Sequence, residues 1–509
     1  MFKTILSAAI AGIEVIPVHV EADVSDGLPQ FSMVGCLTHE VKEAQDRVLT
    51  SLRNIGLAMM PKHITINMSP ADVPKSGSRF DLPIILGILA ADGAIPADSL
   101  EGVMAVGELS LNGDLNPVTG ILPVAIKAKE MKIRCLLVPR LNEWEGRAVG
   151  DLKVIGFSNI PEVLDFLRRG TIPLHSGREM PSPLLNRYEE DMSDIHGQES
   201  VKRAAEVAVA GFHNLLMVGP PGSGKTMLAR RVPTILPPLT LEESLEISQI
   251  YSIAGLLSPE HPVMGTRPFR SPHHTLTPQA LSGGGRIPSP GEITLSHRGI
   301  LFLDEMPEFA RRSLEILRQP LEDREIVIAR ASGSFRFPAN FLLLAAMNPC
   351  PCGYYPDANQ CHCTPREISN YMNRISQPLL DRIDLCVECP PVPYDDLTGN
   401  ARKGSTSQEI RSRVAAVHEI QRKRFAGTKI HFNSEIPAGR MEEFCVMDPG
   451  AGKLLKNAFS KMRLSARAYH RVVKVARTIA DLDGSPDIRG KHISEAICYR
   501  SIDKKYWRI

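Results

Sequence analysis

The chain has 509 residues, which is more than one ordinary domain holds and predicts about three. With 43% hydrophobic and 23% charged residues, its composition is that of a globular protein, and no apolar run is long enough to cross a membrane. Ten cysteines over this length exclude a disulfide framework, and we expect a cytoplasmic protein. Met1–Gly12 has the look of a short signal peptide, but Ile13–Glu21 continues it as a β-like alternation and predicts a folded first strand.

The net charge is only +2, but the charges are distributed unevenly along the chain. Residues 401–509 hold 23 Lys and Arg against 11 Asp and Glu, so the preceding residues carry a net negative charge. A basic region of this kind is typical of a surface that binds nucleic acid. It is equally typical of helices whose basic residues face solvent or an acidic neighbouring subunit. Charge alone leaves both interpretations open.

The chain divides into three predicted domains of an α/β protein. Residues 1–168 alternate strand-like and helix-like segments, and the Pro/Gly/Ser-containing stretch 169–190 predicts a linker. A nucleotide-binding core is predicted over 191–393. The remainder, 394–509, is predicted to be basic and helical, with Leu464–Ala480 as its clearest helix.

A phosphate-binding loop is the strongest single motif. The apolar run Asn214–Val218 predicts a buried parallel strand, Met227–Arg230 begins like a helix, and the eight residues between them fit G-x-x-x-x-G-K-[ST] without a mismatch. Glycines there let backbone N–H groups wrap nucleotide phosphates at the start of the helix. Lys225 would reach the outer phosphates, and the Thr226 hydroxyl would bind Mg²⁺. The predicted ATP-binding residues are Gly219, Pro220, Pro221, Gly222, Ser223, Gly224, Lys225 and Thr226.

Two further apolar strands end in polar residues that suit ATP hydrolysis. Gly299–Leu303 is followed by Asp304, placed to hold the Mg²⁺ shell, and by Glu305, placed to polarise an attacking water. Phe341–Met347 is followed by Asn348, which would orient that water from the opposite side. Apolar strands often end in polar turns for structural reasons alone. The order of these three motifs nevertheless predicts an ATP hydrolase.

Longer phrases carry a family resemblance that covers essentially the whole chain. They are Arg267–Thr275, Ala280–Arg286, Pro290–Gly299, Asn348–Gly353, Pro378–Asp384 and Leu464–Arg471. On these, the chain resembles the YifB/ComM family of magnesium chelatase-like proteins, in the helix-2-insert group of AAA+ ATPases. The resemblance implies an α/β fold with three parts: a Lon-protease-like N-terminal domain of the S5 domain 2-like class, an AAA+ core with a helix-2 insert, and a C-terminal helical lid. It also implies a homo-hexameric ATP-dependent DNA helicase that drives branch migration of recombination intermediates during natural transformation.

The same resemblance assigns three arginines. Arg382 takes the part of an arginine finger, which reaches into the next subunit's site and stabilises charge on the transferred phosphoryl group. Arg374 is a second candidate for this task. Arg467 matches the sensor arginine of the lid and is expected to contact the γ-phosphate in cis. The alternative for each is a surface salt bridge.

A long insertion before Asp304 carries Arg267, Arg270 and Arg286 among glycines, and the hairpin-like Arg324–Arg336 follows. In the resembled group such inserts face a central pore, where arginines on loops hold phosphates without reading sequence. We therefore predict that the three arginines contact single-stranded or branched DNA. The alternative is a structural loop that packs against its neighbour. The adjacent histidines 273 and 274 are poorly placed to converge on one metal ion.

Four cysteines crowd into fourteen positions on a Gly/Pro-rich loop: Cys350, Cys352, Cys361 and Cys363. Four thiolates can enclose Zn²⁺ tetrahedrally, which predicts a structural zinc site. The C-x-C spacing is tighter than usual, and His362 is an alternative ligand. Reduced or redox-active cysteines without metal are the other interpretation.

Residues 70–140 resemble the proteolytic domain of Lon, at Pro74–Asp81 and Gly107–Leu122. Such a protease needs a serine that is activated by a lysine of lowered pKa. Here the nucleophile position holds Arg79 and the lysine position holds Leu122. We therefore predict a non-proteolytic scaffold that serves a protein partner or ring assembly.

Three functions are consistent with these motifs. The first is an ATP-driven ring motor on DNA. The second is a chelatase-type motor subunit that remodels a partner protein. The third is a nucleotide-dependent scaffold with little turnover.

Overall fold

A computed structural model describes residues 2–57, 62–173, 188–286, 288–330, 333–392, 404–462 and 465–507. Most of the predicted linker 169–190 lies outside these residues, and so does the predicted boundary between core and lid near 393–403. Within the described part of the chain, no helix is both long and apolar enough to span a bilayer.

The N-terminal part is a mixed sheet covered by helices. Its strands are β1 Phe2–Ala11, β2 Glu14–Asp26, β3 Gln30–Val34, β4 Lys62–Ser69, β5 Val103–Ala105, β6 Glu108–Leu109, β7 Leu115–Asn116, β8 Cys135–Pro139 and β9 Val154–Phe157. Its helices are α1 His39–Lys42, α2 Ala44–Asn54, α3 Asp81–Ala91, α4 Ile121–Glu130, α5 Glu143–Arg147 and α6 Ile160–Arg169. Seven strands form the sheet in the order β3-β4-β2-β1-β5-β8-β9. Every residue of α3 is buried. Apart from Asp81, its side chains are apolar on all sides of the helix, which is typical of a helix inside the core.

The central part is an α/β unit. Its strands are β10 Leu215–Val218, β11 Phe269–Arg270, β12 Gly283–Gly284, β13 Ser289–Pro290, β14 Ile300–Leu303, β15 Glu325–Arg330, β16 Gly333–Pro338, β17 Leu342–Met347 and β18 Leu385–Glu388. Its helices are α7 Glu199–Gly211, α8 Lys225–Arg231, α9 Leu241–Ile253, α10 Pro278–Ser282, α11 Glu292–Leu295, α12 Arg311–Ile316, α13 Pro320–Asp323, α14 Pro365–Met372 and α15 Gln377–Leu380. Five strands form an all-parallel sheet in the order β11-β14-β17-β10-β18. Strands β10, β14 and β17 are apolar throughout because both faces of this sheet are covered.

The C-terminal part is helical: α16 Ser407–Arg424, α17 Met441–Phe444, α18 Pro449–Met462, α19 Ala466–Leu482 and α20 Gly490–Trp507. These helices share one hydrophobic core with α7 and one face of the parallel sheet. Ion pairs at this junction engage part of the basic charge, as in Arg413 with Glu206 at 2.5 Å and Arg471 with Asp384 at 2.8 Å. Some of the C-terminal excess therefore neutralises acids within the same chain.

Candidate nucleotide-binding site

The predicted nucleotide site lies at the carboxyl edge of the parallel sheet. Val218 pairs with Met347, and the N–H of Gly219 donates to the Met347 carbonyl at 3.2 Å. The phosphate loop after β10 and Asn348 after β17 therefore leave the sheet side by side. Asp304 follows β14, the next strand over. Parallel strands bring all three motifs to one edge, where α/β sheets bind ligands.

Glycines fix the path of the phosphate loop. Gly222 and Gly224 have φ values of 77° and 80°, which side chains rarely adopt. A Cβ at Gly219 would lie 2.3 Å from the carbonyl oxygen of Cys389. The start of the loop is thus packed against the residue that follows β18.

Lys225 links the loop to Asn348. Its Nζ donates to the carbonyls of Gly219 and Pro220, both at 2.8 Å, and to Asn348 Oδ1 at 3.2 Å. Burial lowers the pKa of this ammonium, and nearby acids that include Asp304 oppose the effect. A phosphate anion entering the loop would supply the charge that these neutral acceptors lack.

Thr226 and Asp304 provide adjacent oxygens for a cation. The Thr226 hydroxyl donates to Asp304 Oδ2 at 2.7 Å, and Asp304 Oδ1 accepts the N–H of Glu305 at 3.0 Å. A hydroxyl and a carboxylate are the hard ligands that Mg²⁺ prefers beside nucleotide phosphates, so this pair fits the ion. The Glu305 side chain is 60% exposed and faces His274 at 3.9 Å. Its carboxylate is therefore accessible to a water molecule.

Gln198 is a site residue that the sequence analysis missed. Its Nε2 donates to the carbonyl of Ser223 at 2.6 Å and to that of Pro390 at 3.0 Å, so it ties the loop to the segment after β18. The residue has a φ of 55°, an unusual conformation for glutamine. Its only sequence signal is a polar residue after Gly197, just before a helix.

The predicted finger and sensor arginines lie at the opposite, amino edge of the sheet. Arg382 is anchored there because its carbonyl accepts Asn214 Nδ2 at 3.0 Å, and Asn214 immediately precedes β10. Arg382 and Arg467 both face Glu322, Arg467 at 3.9 Å. They share a cavity of about 300 Å³. The phosphate loop leaves the other edge, so the structure does not bring Arg467 to the phosphate loop of its own chain. Arg374 pairs with Glu308 at 2.8 Å and does not enter this cavity.

The arginine cavity has a strongly basic wall: Arg324, Arg382, Arg467, Arg471 and Lys474. Asp384 connects this wall to the sheet, because it accepts the N–H of Asn214, the residue before β10, at 3.1 Å. Burial opposes ionisation of Asp384, but Arg471 and His213 outweigh it and hold the pKa of this carboxyl well below its ordinary range. Burial also lowers the pKa of Lys474 to about 8. Three acidic residues, Glu322, Asp384 and Glu435, line the same cavity and pair with Arg382, Arg471 and Arg324, so the basic side chains outnumber the acidic ones but are largely paired.

Two of the three arginines predicted to contact DNA form ion pairs within the chain. Arg267 is only 7% exposed, and it donates to the Pro237 carbonyl at 2.9 Å and pairs with Glu243 at 2.8 Å. Arg270 makes a two-pronged pair with Glu292, both bonds at 2.6 Å. These arginines hold the insertion together, which was the structural alternative.

Arg286 is exposed, and the β15–β16 hairpin lies beside it and carries further arginines. Arg330 on the β15–β16 hairpin donates to the carbonyl of Gly285 at 3.3 Å. Arg330 and Arg336 are exposed as well, although Arg336 pairs with Glu325. We call Arg286 and Arg330 the ribbon arginines. Arg336 is paired in register with Val327, so it lies on the opposite face of the hairpin from Arg330.

The four predicted zinc ligands converge. Their sulfur atoms lie within 4.8 Å of one another. The Cys350 sulfur is 3.3 Å from that of Cys352 and 3.8 Å from that of Cys361. A tetrahedral zinc with sulfur bonds of about 2.3 Å would space the sulfurs by about 3.8 Å, so the cluster fits the ion. His362 is exposed and outside the cluster.

Hydrogen bonds prepare this cluster for a cation. Cys350 Sγ accepts the backbone N–H groups of Gly353 at 3.2 Å and Tyr355 at 3.4 Å. Burial opposes ionisation of Cys352, but the N–H of Tyr354 and the adjoining thiols lower its pKa to about 6. Both effects favour thiolates, the form that binds metal, at Cys350 and Cys352, whereas burial and the neighbouring thiols raise the pKa of Cys361 and Cys363.

The Lon-like positions form a joint between the N-terminal domain and the ATPase core. Leu122 is buried and Arg79 is half-buried, and burial of the Arg79 guanidinium lowers its pKa to about 10. The Ser252 hydroxyl, at the end of α9, donates to Glu145 Oε1 at 2.5 Å. The same oxygen accepts the N–H of Leu122 at 3.0 Å, and the N–H of Gly120 donates to the Ser252 carbonyl at 3.0 Å. Neither Arg79 nor Leu122 provides a nucleophile or a general base.

Comparison with known proteins agrees with this geometry. Family models described as subunit ChlI of Mg-chelatase, as magnesium chelatase subunit ChlI and as the ChlI C-terminal region match residues 20–142, 191–397 and 404–500. Competence protein ComM of Haemophilus influenzae is 42% identical, over 98% of this chain and 97% of its own length. Uncharacterized protein YifB of Escherichia coli is 41% identical, over 97% and 96%.

A partial match covers the N-terminal domain. Lon protease 2 of Bacillus subtilis is 30% identical over 125 residues, which are 24% of this chain and 22% of that protein. This similarity agrees with the Lon-like sheet, although the catalytic pair is replaced. Taken with the full-length matches, the parallel sheet and the phosphate loop, it leads to one assignment. The chain belongs to the YifB/ComM family of magnesium chelatase-like AAA+ ATPases.

Proposed function

We propose that this protein is an ATP-hydrolysing ring motor that acts on DNA, a branch-migration helicase for recombination intermediates in natural transformation or related recombination. We infer a ring from the separation of the nucleotide-binding residues from the two arginines. The loop, Asp304 and Asn348 lie at one edge of the parallel sheet, and Arg382 and Arg467 lie at the other. One subunit therefore presents half a site on each edge, and a ring of identical subunits completes every site.

The nucleotide edge provides binding, metal placement and water activation. The loop N–H groups and Lys225 would hold the β- and γ-phosphates, and Thr226 with Asp304 would hold the magnesium ion that neutralises their charge. Glu305 would accept a proton from the attacking water, and Asn348 would orient that water. Lys225 already donates to Asn348 at 3.2 Å, so these two groups lie next to each other before any ligand enters.

The arginine edge would complete the neighbour's site. Arg382 is 11% exposed and is held by Glu322 and by the Pro378 carbonyl at 2.8 Å, which preorganises its guanidinium. Arg467 is 60% exposed, so it is free to move toward an incoming phosphate. In this proposal both arginines act in trans on charge that develops during phosphoryl transfer.

The proposed DNA substrate rests on two supports. A relative that matches over 98% of this chain is named a competence protein. The ribbon arginines form an exposed basic surface on two neighbouring ribbons, which suits sequence-independent phosphate contact. The proposal places the protein in the cytoplasm, and it includes a structural zinc on the four cysteines.

A chelatase-type protein remodeller is the second candidate. It is favoured by the family models, all three of which describe a magnesium chelatase subunit. The same ATP chemistry would then move a protein partner, and the N-terminal domain would be the place to bind it. A nucleotide-dependent scaffold with little turnover is the third.

One experiment separates the three. ATP turnover is measured with no DNA and with single-stranded, duplex and forked DNA, at about 50 and about 200 mM salt. A DNA motor is stimulated by DNA, most strongly at low salt. The double variant Arg286→Ala/Arg330→Ala loses this stimulation, whereas Arg53→Ala, an exposed arginine on α2, keeps it. ATP turnover that is unchanged by DNA but abolished by Lys225→Ala indicates the protein remodeller. Negligible turnover in every condition indicates the scaffold.

A further inference from the structure

We propose that the cysteine loop, residues 350–363, is a part of the ATP site, and that a metal bound to its four thiolates sets the affinity of the phosphate loop for nucleotide. This inference rests on the proposed ATP and zinc sites and adds a link between them. Its evidence is a pair of contacts between the two loops.

The first contact is through the chain itself. Asn348, which accepts a hydrogen bond from Lys225, is two residues before Cys350. Cys350 is fully buried at the end of β17, and the sulfur atoms of Cys352 and Cys361 lie within 3.8 Å of its own. Any change in the position of Cys350 is therefore passed directly to Asn348 and its contact with Lys225.

The second contact is through space. Gly353 is buried against the phosphate loop, where a Cβ would lie 2.5 Å from Pro221 Cδ. Its φ of 91° is one that other residues rarely adopt. Gly353 also donates its N–H to Cys350 Sγ at 3.2 Å. One residue thus bonds a thiolate ligand and supports the backbone that would cradle phosphates.

The cysteine loop contacts the core through a few side chains, among them Tyr355, whose ring lies 6.2 Å from that of Tyr506. Gly353 is buried, but most residues from Pro351 to Cys363 are exposed, so the loop buries little apolar surface of its own. Small segments that cannot build a core depend on metals or disulfides for their shape. Zinc on the four thiolates would fix both ends of the loop and hold Gly353 against Pro221.

The test measures metal and nucleotide separately in the full-length protein. Zinc is counted by elemental analysis after chelator-free purification, and affinity is measured with a fluorescent ATP analogue. Cys363→Ser should lose the metal and bind the analogue at least about tenfold more weakly. Gly353→Ala keeps all four thiols, so it should retain about one zinc per chain and still bind about tenfold more weakly, because its Cβ displaces Pro221. Cys36→Ser, an exposed thiol in the N-terminal domain, is the matched control and should equal the wild type.

The outcomes are distinguishable. A Cys363→Ser protein that is folded, metal-free and normal in nucleotide affinity would overturn the link while leaving the ATP site intact. A wild type without metal but with normal affinity would overturn it as well. A wild type that binds zinc but no nucleotide would overturn the proposed ATP site together with the inference. Circular dichroism confirms folding, and Gly353→Ala tests the contact even where a cysteine variant fails to fold.

Discussion

Two inactive variants of this protein should restore each other's ATP turnover when they are mixed. Lys225→Ala removes the phosphate-binding ammonium at the carboxyl edge of the sheet, and Arg382→Ala removes the finger at the amino edge. If sites are completed between subunits, a neighbour pair can combine an intact loop from the Arg382→Ala chain with an intact finger from the Lys225→Ala chain. If each chain completes its own site, no pair is intact and mixing has no effect.

The size of the effect follows from how each arginine is held. Arg382 is 11% exposed and has two acceptors, so its loss should cost the full value of a finger, about 10³- to 10⁵-fold in turnover or about 4–7 kcal/mol. Arg467 is 60% exposed and has only a pair at 3.9 Å, so its loss should cost less, about 10- to 100-fold. In an equal mixture assembled at random, about one quarter of the interfaces combine the two intact halves.

The assay mixes purified Lys225→Ala and Arg382→Ala chains at varied ratios and measures phosphate release. Recovery should peak near equal amounts, at about one quarter of the wild-type rate. Size-exclusion chromatography with a non-hydrolysable ATP analogue checks that each variant still assembles. A mixture that never exceeds the summed rates of its components, although mixed assemblies form, would refute the reasoning. Wild-type turnover that is unchanged on dilution to monomer would refute it independently.

Three further predictions test other contacts. Gln198→Ala removes both bonds that tie the phosphate loop to the segment after β18 and should weaken binding of a fluorescent ATP analogue by about 10- to 30-fold, at about 1 kcal/mol a bond. Glu145→Ala leaves the Ser252 hydroxyl and the Leu122 N–H unpaired and should destabilise the joint by about 3 kcal/mol, seen as a lower thermal midpoint, whereas the exposed Glu130→Ala should shift it little. Asp384 has a depressed pKa, so the stability that it contributes is complete above its ordinary pKa of 3.8 and is lost as the pH falls below that value. Asp384→Asn should lower the free energy of unfolding at pH 7 by about 3–5 kcal/mol, because it leaves buried cations unpaired. It should also flatten the acid limb of a plot of stability against pH.

The nucleotide edge was predictable because its signals are local. Three apolar strands are each followed at once by a motif, the phosphate loop, Asp304 or Asn348, and parallel pairing brings the three motifs together without further information. The convergence of the four thiols was predictable for the same reason, since all of them lie on one short loop.

The insertion arginines were not predictable in the same way. Arg267 and Arg286 look alike in sequence, since both lie in a loop rich in Gly or Pro. They differ because Pro237 and Glu243 enclose Arg267, and those residues precede it by more than twenty positions. The position of Gln198 likewise depends on Ser223 and Pro390, which only the fold brings to it. The sequence identifies the chemical type of a side chain, but only the fold shows whether that side chain is buried and paired within the chain or exposed to a ligand.

The edge on which Arg467 lies is the most consequential of these tertiary results. Strand β10 has four residues and spans about 13 Å, so the two edges of the sheet are too far apart for one guanidinium to reach across. Helix α19 is fixed at the amino edge by Arg471, whose Nη1 lies 2.8 Å from Asp384, and Asp384 is in turn bonded to the residue before β10. Moving Arg467 to the phosphates of its own chain would require breaking that buried pair and the core that α19 shares with α7. A neighbouring subunit needs no such rearrangement, because its nucleotide edge can approach the exposed Arg467 directly. In the proposed ring, the ion pair that makes cis contact costly would therefore also present both arginines to the next site.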